Sequence, residues 1–323
     1  MFVVPVIAFA SDPAQSPGRA AAQAIPGRWM VAALAGSVAV LALLMHAASL
    51  WIAFSPGLLA FAVALAILGT IRWRFRRAVS GAGRIARDAA EYVAISTVIS
   101  LVGAVASYPV AAFSHGFADN WLQRCDAVVG FDWLAWYRFT AAHPAVQVAS
   151  RSAYALIYLS PAILLGHYAT ADKRREAYDF MAAVWLAAVL TLVGFRFMPA
   201  VGPFAYLWHG PVPYLPVSDL WQPEVIPLLR AHEYGAVDVG GLVGLVSAPS
   251  FHAAAAVLLM AFAARERRVR WPLIAMNAAM LLATPVEGTH YLIDLLLGAV
   301  IAAFALAGVA LFRALVMAAP AQG

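Results

Sequence analysis

The stretch 29–54, "WMVAALAGSVAVLALLMHAASLWIAF", runs 26 residues without Asp, Glu, Lys or Arg. A helix of about 20 apolar residues matches the ~30 Å hydrocarbon thickness of a bilayer. Within that layer only helices and closed barrels satisfy the backbone's own hydrogen bonds. The run is not alone. Apolar segments at 57–71, 92–113, 146–169, 180–198, 249–264, 271–286 and 290–311 follow it, giving eight predicted spans. Segments of this length favour helices over barrel strands. Composition agrees, because 64% of the chain is hydrophobic and only 11% is charged, less than half the charged share usual in a soluble domain. The expected fold class is all-α, a polytopic transmembrane helical bundle integral to a membrane.

The formal net charge of +5 does not point to nucleic acid, because the arginines sit in short loops between apolar runs. Six lie in "RWRFRRAVSGAGRIARD" at 72–88, and "DKRRE" (172–176) and "RERRVR" (265–270) add three and four basic residues. With eight spans these loops fall on one side, together with both chain ends. Counting Arg19, Arg28 and Arg313, that side holds 16 of the 21 Lys and Arg residues. The positive-inside rule makes it cytoplasmic. The expected setting is a bacterial inner membrane, with both termini inside and the opposite loops facing the periplasm.

Two long connections lie on that opposite side. Residues 114–145 mix tryptophans and tyrosine with charges, as a segment lying along a membrane surface does. Residues 199–248 are rich in Pro and Gly, and a connection this long reads as a lid or binding loop. Residues 1–28 resemble a secretory signal only weakly, with Ala8-Phe9-Ala10 but no basic start, and read as a flexible leader. Cys125 is the only cysteine, which excludes an intrachain disulfide and a thiolate cluster. The expected organisation is a leader (1–28), a two-span extension (29–73) and a six-span core (89–323).

The polar residues that interrupt the apolar runs gather near two helix starts. "SAPSFHAAAAVLLMAF" (247–262) places Ser250 and His252 in the first turn of the sixth span, with Pro249 as helix starter. "EGTHYLIDLLLGA" (287–299) places His290 at the start of the eighth span, behind Gly288 and a capping Thr289. Asp294 follows four residues later, on the same helix face. Free amides at helix starts attract anions, phosphate above all. A carboxylate one turn below a histidine fixes its tautomer and frees the other nitrogen to attack or take a proton. A second histidine can protonate a leaving oxygen. Each residue also has an ordinary use, since an interfacial histidine can be an anchor and Ser250 a simple cap. A metal reading fares worse, because His290 and Asp294 are two ligands where a closed site needs more.

"PSFH" at 249–252 resembles the Pro-Ser-x-His motif of the type-2 phosphatidic-acid phosphatase superfamily. "GTHYLIDLLLG" at 288–298 resembles its third motif, in the form G-x-H-Y-x-x-D-x-x-x-G found in the branch of the inositol phosphorylceramide synthases and their bacterial relatives. "FRFMPAVGP" (195–203) resembles the proline-rich stretch that precedes the serine-histidine motif in that branch. The resemblance implies His290 as nucleophile through a phosphohistidine, Asp294 as its orienter and His252 as general acid. It implies Ser250 and its neighbouring amides as phosphate ligands, with no metal or other cofactor. The expected substrate is a membrane phospholipid or polyprenyl phosphate, with water, a polyol or a second lipid as acceptor.

The family's first motif, a lysine with an arginine-proline pair, has no counterpart. Lys173 is the sole lysine and falls in a basic loop, and Thr284 stands where the third motif usually has an arginine. A phosphoryl transition state needs positive charge. Arg196 and Arg151 are the candidate phosphate ligands, with Arg230 behind them. A transporter or scaffold would carry ionisable residues deep in the bundle, where His46 is the main candidate. An intramembrane serine protease is disfavoured because Ser250 lacks glycine flanks and is expected at the surface.

Overall fold

The computed structural model describes residues 27–218 and 221–318. The predicted leader at 1–28 therefore lies almost wholly outside the described residues. Helices occupy all eight predicted segments, as α1 (Gly27–Ala47), α2 (Pro56–Arg74), α3 (Gly81–Ala112), the pair α6 (Pro144–Tyr154) and α7 (Leu156–Thr170), α8 (Arg174–Phe197), α11 (Phe251–Ala263), α12 (Arg270–Glu287) and α13 (Leu292–Ala318). Two further helices, α4 (Asp119–Val128) and α5 (Trp133–Ala142), fill the first long connection, and α9 (Pro203–Leu207) and α10 (Gln222–Arg230) lie in the second. The expected all-α membrane bundle is what the chain forms. Among the described residues, α1, α2, α3, α8 and α13 are each long and apolar enough to cross a bilayer alone.

Three segments depart from simple spans. The predicted span 29–54 stops at Ala47, because Trp51 and Ile52 leave the helix as β1 and pair in parallel with β2 (Ala236–Val237) of the long loop 199–248. The predicted span 146–169 is broken at Ala155 and bent by 43°. Pro161 lies inside α7, six residues beyond the break. Third, α11 has only 13 residues, about 20 Å of helix against ~30 Å of hydrocarbon. His46 stands exposed in the last turn of α1 rather than deep in the bundle.

The core lies where α3, α7, α8, α11 and α13 meet, around Tyr92, Leu164, Phe180, Met181, Leu258, Phe262 and Ala302. The three basic loops do meet at one end. Asp88, 1% exposed, is ion-paired by Arg84, Arg87 and Arg174, and Glu91 by Arg72 and Arg174. Lys173 and His167 hold Glu266, and Arg313 reaches Asp179. These carboxylates are buried only because each is paired, as the cost of isolated buried charge requires. Ion pairs from α2, α3, α8, the α11–α12 turn and α13 thus tie the basic end together.

At the opposite end the α1–α2 loop braces the long loop. Ala53 donates to the Val237 carbonyl at 2.9 Å, and His232 Nδ1 pairs with the Ala48 carbonyl at 2.9 Å. A Cβ on Gly57 would lie 2.2 Å from the Gly240 Cα, so only glycine permits that approach.

Candidate active site

Ser250 caps α11, its backbone extended and its Oγ accepting the Ala253 N–H at 3.3 Å. Pro249 sits before the cap rather than at the first helical position. Its ring packs on α8, where a Cβ at Gly194 would meet Pro249 Cδ at 2.7 Å. The partner segment, 288–291, is the tight turn between α12 and α13. Thr289 there takes a left-handed φ of 50°, and the His290 N–H donates to the Pro285 carbonyl at 3.1 Å.

The two segments are joined backbone to backbone. The Ser250 N–H donates to the Asp294 carbonyl at 3.0 Å, and Gly298 lets α13 pass directly against the start of α11. The side chains then fall in line. Ser250 Oγ lies 3.3 Å from His290 Nε2, and His290 Nδ1 lies 3.4 Å from Asp294 Oδ2. All three are buried, with Ser250 and Asp294 fully so and His290 3% exposed. Both contacts are long for hydrogen bonds. His252, in the first turn of α11, stacks on Tyr154 of α6 with ring centroids 4.4 Å apart and planes 14° apart. A Cβ on Gly288 would meet both His290 Cδ2 (2.7 Å) and the Tyr154 hydroxyl (3.0 Å), so the His290 ring and the Tyr154 ring on which His252 stacks both close on this glycine. Four of the expected residues, Ser250, His252, His290 and Asp294, are thereby brought together.

The candidate cations are not bonded to that group. Arg196 lies in the last turn of α8 with its guanidinium 5.6 Å from the Phe197 ring centroid. Arg230 binds Ser114 Oγ and the Gly116 carbonyl, away from the histidines. Arg151 comes closer, through two intermediaries. Its Nε donates to the Tyr214 hydroxyl at 2.9 Å, which donates to Glu287 Oε1 at 2.7 Å, next to the His290 turn. Burial pushes the Tyr214 phenol up to about 12, which keeps it a donor to Glu287. The Val217 and Ser218 amides also bind Glu287, so the long loop is fastened to the turn that carries the nucleophile candidate. Lys173 stands at the basic end, paired with Glu266.

Two expectations are corrected. The start of α13 is not a set of open amides for phosphate. Asp126 of α4 accepts from Leu292 and Ile293, both at 2.9 Å, and Asp294 Oδ2 accepts from Tyr291 at 3.0 Å. The cap expected of Thr289 is thus supplied by Asp126. The group is buried in the protein, with α4, α6 and the long loop bonded or packed around it.

Asp119 and Asp126 belong to this neighbourhood although no motif marks them and sequence places them only in a surface segment. Asp119 accepts from the Val201 and Gly202 amides and from the Tyr291 hydroxyl, each at 3.0 Å. Burial pushes both carboxyls above their usual range, against the pull of the amides they accept. Their seven-residue spacing, two helical turns on one face, is the signal that could have found them. Asp126→Ala strands two amides and should lower the unfolding midpoint, costing about 1–2 kcal/mol. Asp126→Asn, which keeps one acceptor, should lose less in thermal unfolding of detergent-solubilised protein.

Comparison with curated proteins and with solved structures finds no match. The PAP2 superfamily model matches residues 120–308, which run from α4 into α13 and contain all four clustered residues. That is more than half of the chain, and with it the chain belongs to the PAP2 superfamily, membrane proteins of phosphatase-type, phosphoester-cleaving function.

Proposed function

We propose that the protein breaks a phosphoester of a membrane lipid through a phosphohistidine on His290. The observation that carries this reading is the line Ser250–His290–Asp294 with His252 beside it. Asp294 accepts the Nδ1 proton of His290, so the Nε2 lone pair faces the phosphorus. Nε2 attacks, the bond to the lipid oxygen breaks, and His252 gives that oxygen a proton. Ser250 Oγ, already beside Nε2, holds a phosphoryl oxygen. An acceptor hydroxyl then gives its proton to His252 and attacks phosphorus, freeing His290. Arg151 is the cation proposed for the phosphate, turning from Tyr214 to the substrate, with Arg196 the second candidate.

The acceptor is water, a polyol or a second lipid. The pattern G-x-H-Y-x-x-D-x-x-x-G at 288–298 favours the transferase-like branch of inositol phosphorylceramide synthases. The basic end is assigned to the cytoplasm of a bacterial inner membrane by its arginines, which puts the site on the periplasmic half.

The experiment is phosphate release by detergent-purified protein from phosphatidic acid and polyprenyl phosphates, with EDTA present. Release by the wild type alone, and not by His290→Ala, is the expected result. If neither releases phosphate, phosphoinositide donors with lipid or polyol acceptors test transfer, and inactivity there as well overturns the reading. In the active assay, His252→Ala should cost on the order of 100-fold for an alkyl leaving group and much less for p-nitrophenolate. Equal loss for both would remove its role as acid.

A serine-nucleophile reading has one observation behind it, because Ser–His–Asp hydrogen bonds in this order also suit acyl transfer. Ser250 is fully buried in the protein. Its Oγ is engaged as helix cap, and the superfamily acts on phosphoesters. Covalent labelling of Ser250 by a fluorophosphonate would reverse this preference.

A further inference from the structure

Glu287 is the last residue of α12, directly before the turn that carries His290, and it is fully buried. The carboxylates buried at the basic end are held by arginines or a lysine, whereas Glu287 forms no ion pair among the described residues. Its bonds run instead to one short segment of the long loop. Oε1 accepts from the Tyr214 hydroxyl at 2.7 Å, Oε2 from the Val217 amide at 3.2 Å, and its carbonyl from the Ser218 amide at 2.7 Å. Tyr137 of α5 holds the same segment, donating to the Tyr214 carbonyl at 2.7 Å. A carboxylate buried without a cation is costly, which sets Glu287 apart from an ordinary helix end.

We propose that Glu287 sets which acceptor reaches the phosphohistidine, by latching residues 214–218 against the His290 turn. It is a positioning residue, acting through the loop. The proposal rests on the reading of His290 as nucleophile. With either acceptor the N–P bond breaks, an O–P bond forms and the acceptor's proton goes to His252. Water and an alcohol differ in how freely they arrive, because a closed site keeps bulk water from a reactive intermediate. Arg151 binds the same segment, at the Tyr214 hydroxyl and the Leu215 carbonyl. Because Glu287 holds the segment independently, Arg151 is free to turn to the phosphate without releasing it.

The test uses the full-length protein in detergent, with glycerol as acceptor and phosphatidic acid as donor, or phosphatidylinositol if only that lipid is turned over. Diacylglycerol counts all turnover, and the product joined to glycerol counts transfer. Glu287→Ala removes both carboxylate bonds and should lower the ratio of transfer to hydrolysis about tenfold. Tyr214→Phe keeps the ring, removes one bond and should lower the ratio roughly threefold. Hydrogen exchange of the amides in 212–218 should quicken in the same order. Glu287→Gln keeps one acceptor and removes the buried charge, so it should lower the ratio without lowering the unfolding midpoint. A merely structural carboxylate would show a lower midpoint and an unchanged ratio. An unchanged ratio in the variants, unchanged exchange, or a wild type that forms no glycerol product overturns the proposal. Full turnover by His290→Ala, or none by the wild type from either donor, fails the phosphohistidine reading beneath it.

Discussion

Replacing His290 by alanine should cost on the order of 10⁴-fold or more in turnover, with the protein still folded. The size follows from the role, because losing a nucleophile leaves only the contribution of binding and polarisation. The fold should survive because the turn is held by other bonds, from Asp126 to Leu292 and Ile293 and from Asp119 to Tyr291. Asp294→Asn should come close to the same loss, on the order of 10³–10⁴-fold, for a different reason. Asp294 Oδ2 receives both the Tyr291 amide and the His290 ring. An asparagine with its carbonyl in the place of Oδ2 can still accept from both, but it brings no negative charge to stabilise the ring as Nε2 attacks and the imidazole becomes cationic. Purified variants assayed for turnover and unfolding midpoint check both. Wild-type turnover by His290→Ala at an unchanged midpoint would remove the nucleophile assignment.

Much of this is readable from the chain, and what is not has physical causes. Bilayer thickness imposes a length on apolar runs, so eight segments are visible, and charge marks which loops share an end. Ser250, His252, His290 and Asp294 stand out because polar groups are costly beside apolar helices. Tyr154 does not. An aromatic residue in an apolar run looks the same whether it faces lipid or another ring, and the bend at Ala155 beside the Tyr154–His252 stack carries no mark in the local sequence. Asp119 and Asp126 carry a helical spacing, but the sequence does not say that their helix folds inward onto α13. The amides of that helix therefore read as open when they are already occupied. Local pattern gives a residue's period and polarity, while its partner is set by packing between distant elements.

Gly298 shows how tightly that packing sets the site, and Gly298→Ala should cost roughly 100-fold in turnover. The residue ends the 288–298 motif, yet it touches no part of the chemistry directly. A Cβ placed there would lie 2.3 Å from the Ser250 carbonyl oxygen, 2.9 Å from the Ala253 Cβ and 3.1 Å from the Ala254 amide nitrogen. Two of these three atoms are backbone and the third is fixed to it, so no rotamer change relieves the contact. The start of α11 has to retreat from α13 by about 1 Å to restore ordinary van der Waals separation. Such overpacking typically costs about 1–3 kcal/mol. The functional cost is larger, because the same crossing carries the Ser250–Asp294 backbone bond at 3.0 Å and the Ser250–His290 contact at 3.3 Å. A displacement of about 1 Å between reacting groups is worth roughly 100-fold in rate. Gly36 supplies the control. It lies inside α1, and a Cβ added there would meet nothing within 4 Å. Alanine at that position should stabilise the helix by about 0.5–1 kcal/mol with no effect on turnover. A Gly298→Ala protein with both the midpoint and the turnover of the wild type would mean that α11 and α13 can part without disturbing the histidines. The close crossing would then be incidental to the site rather than its frame.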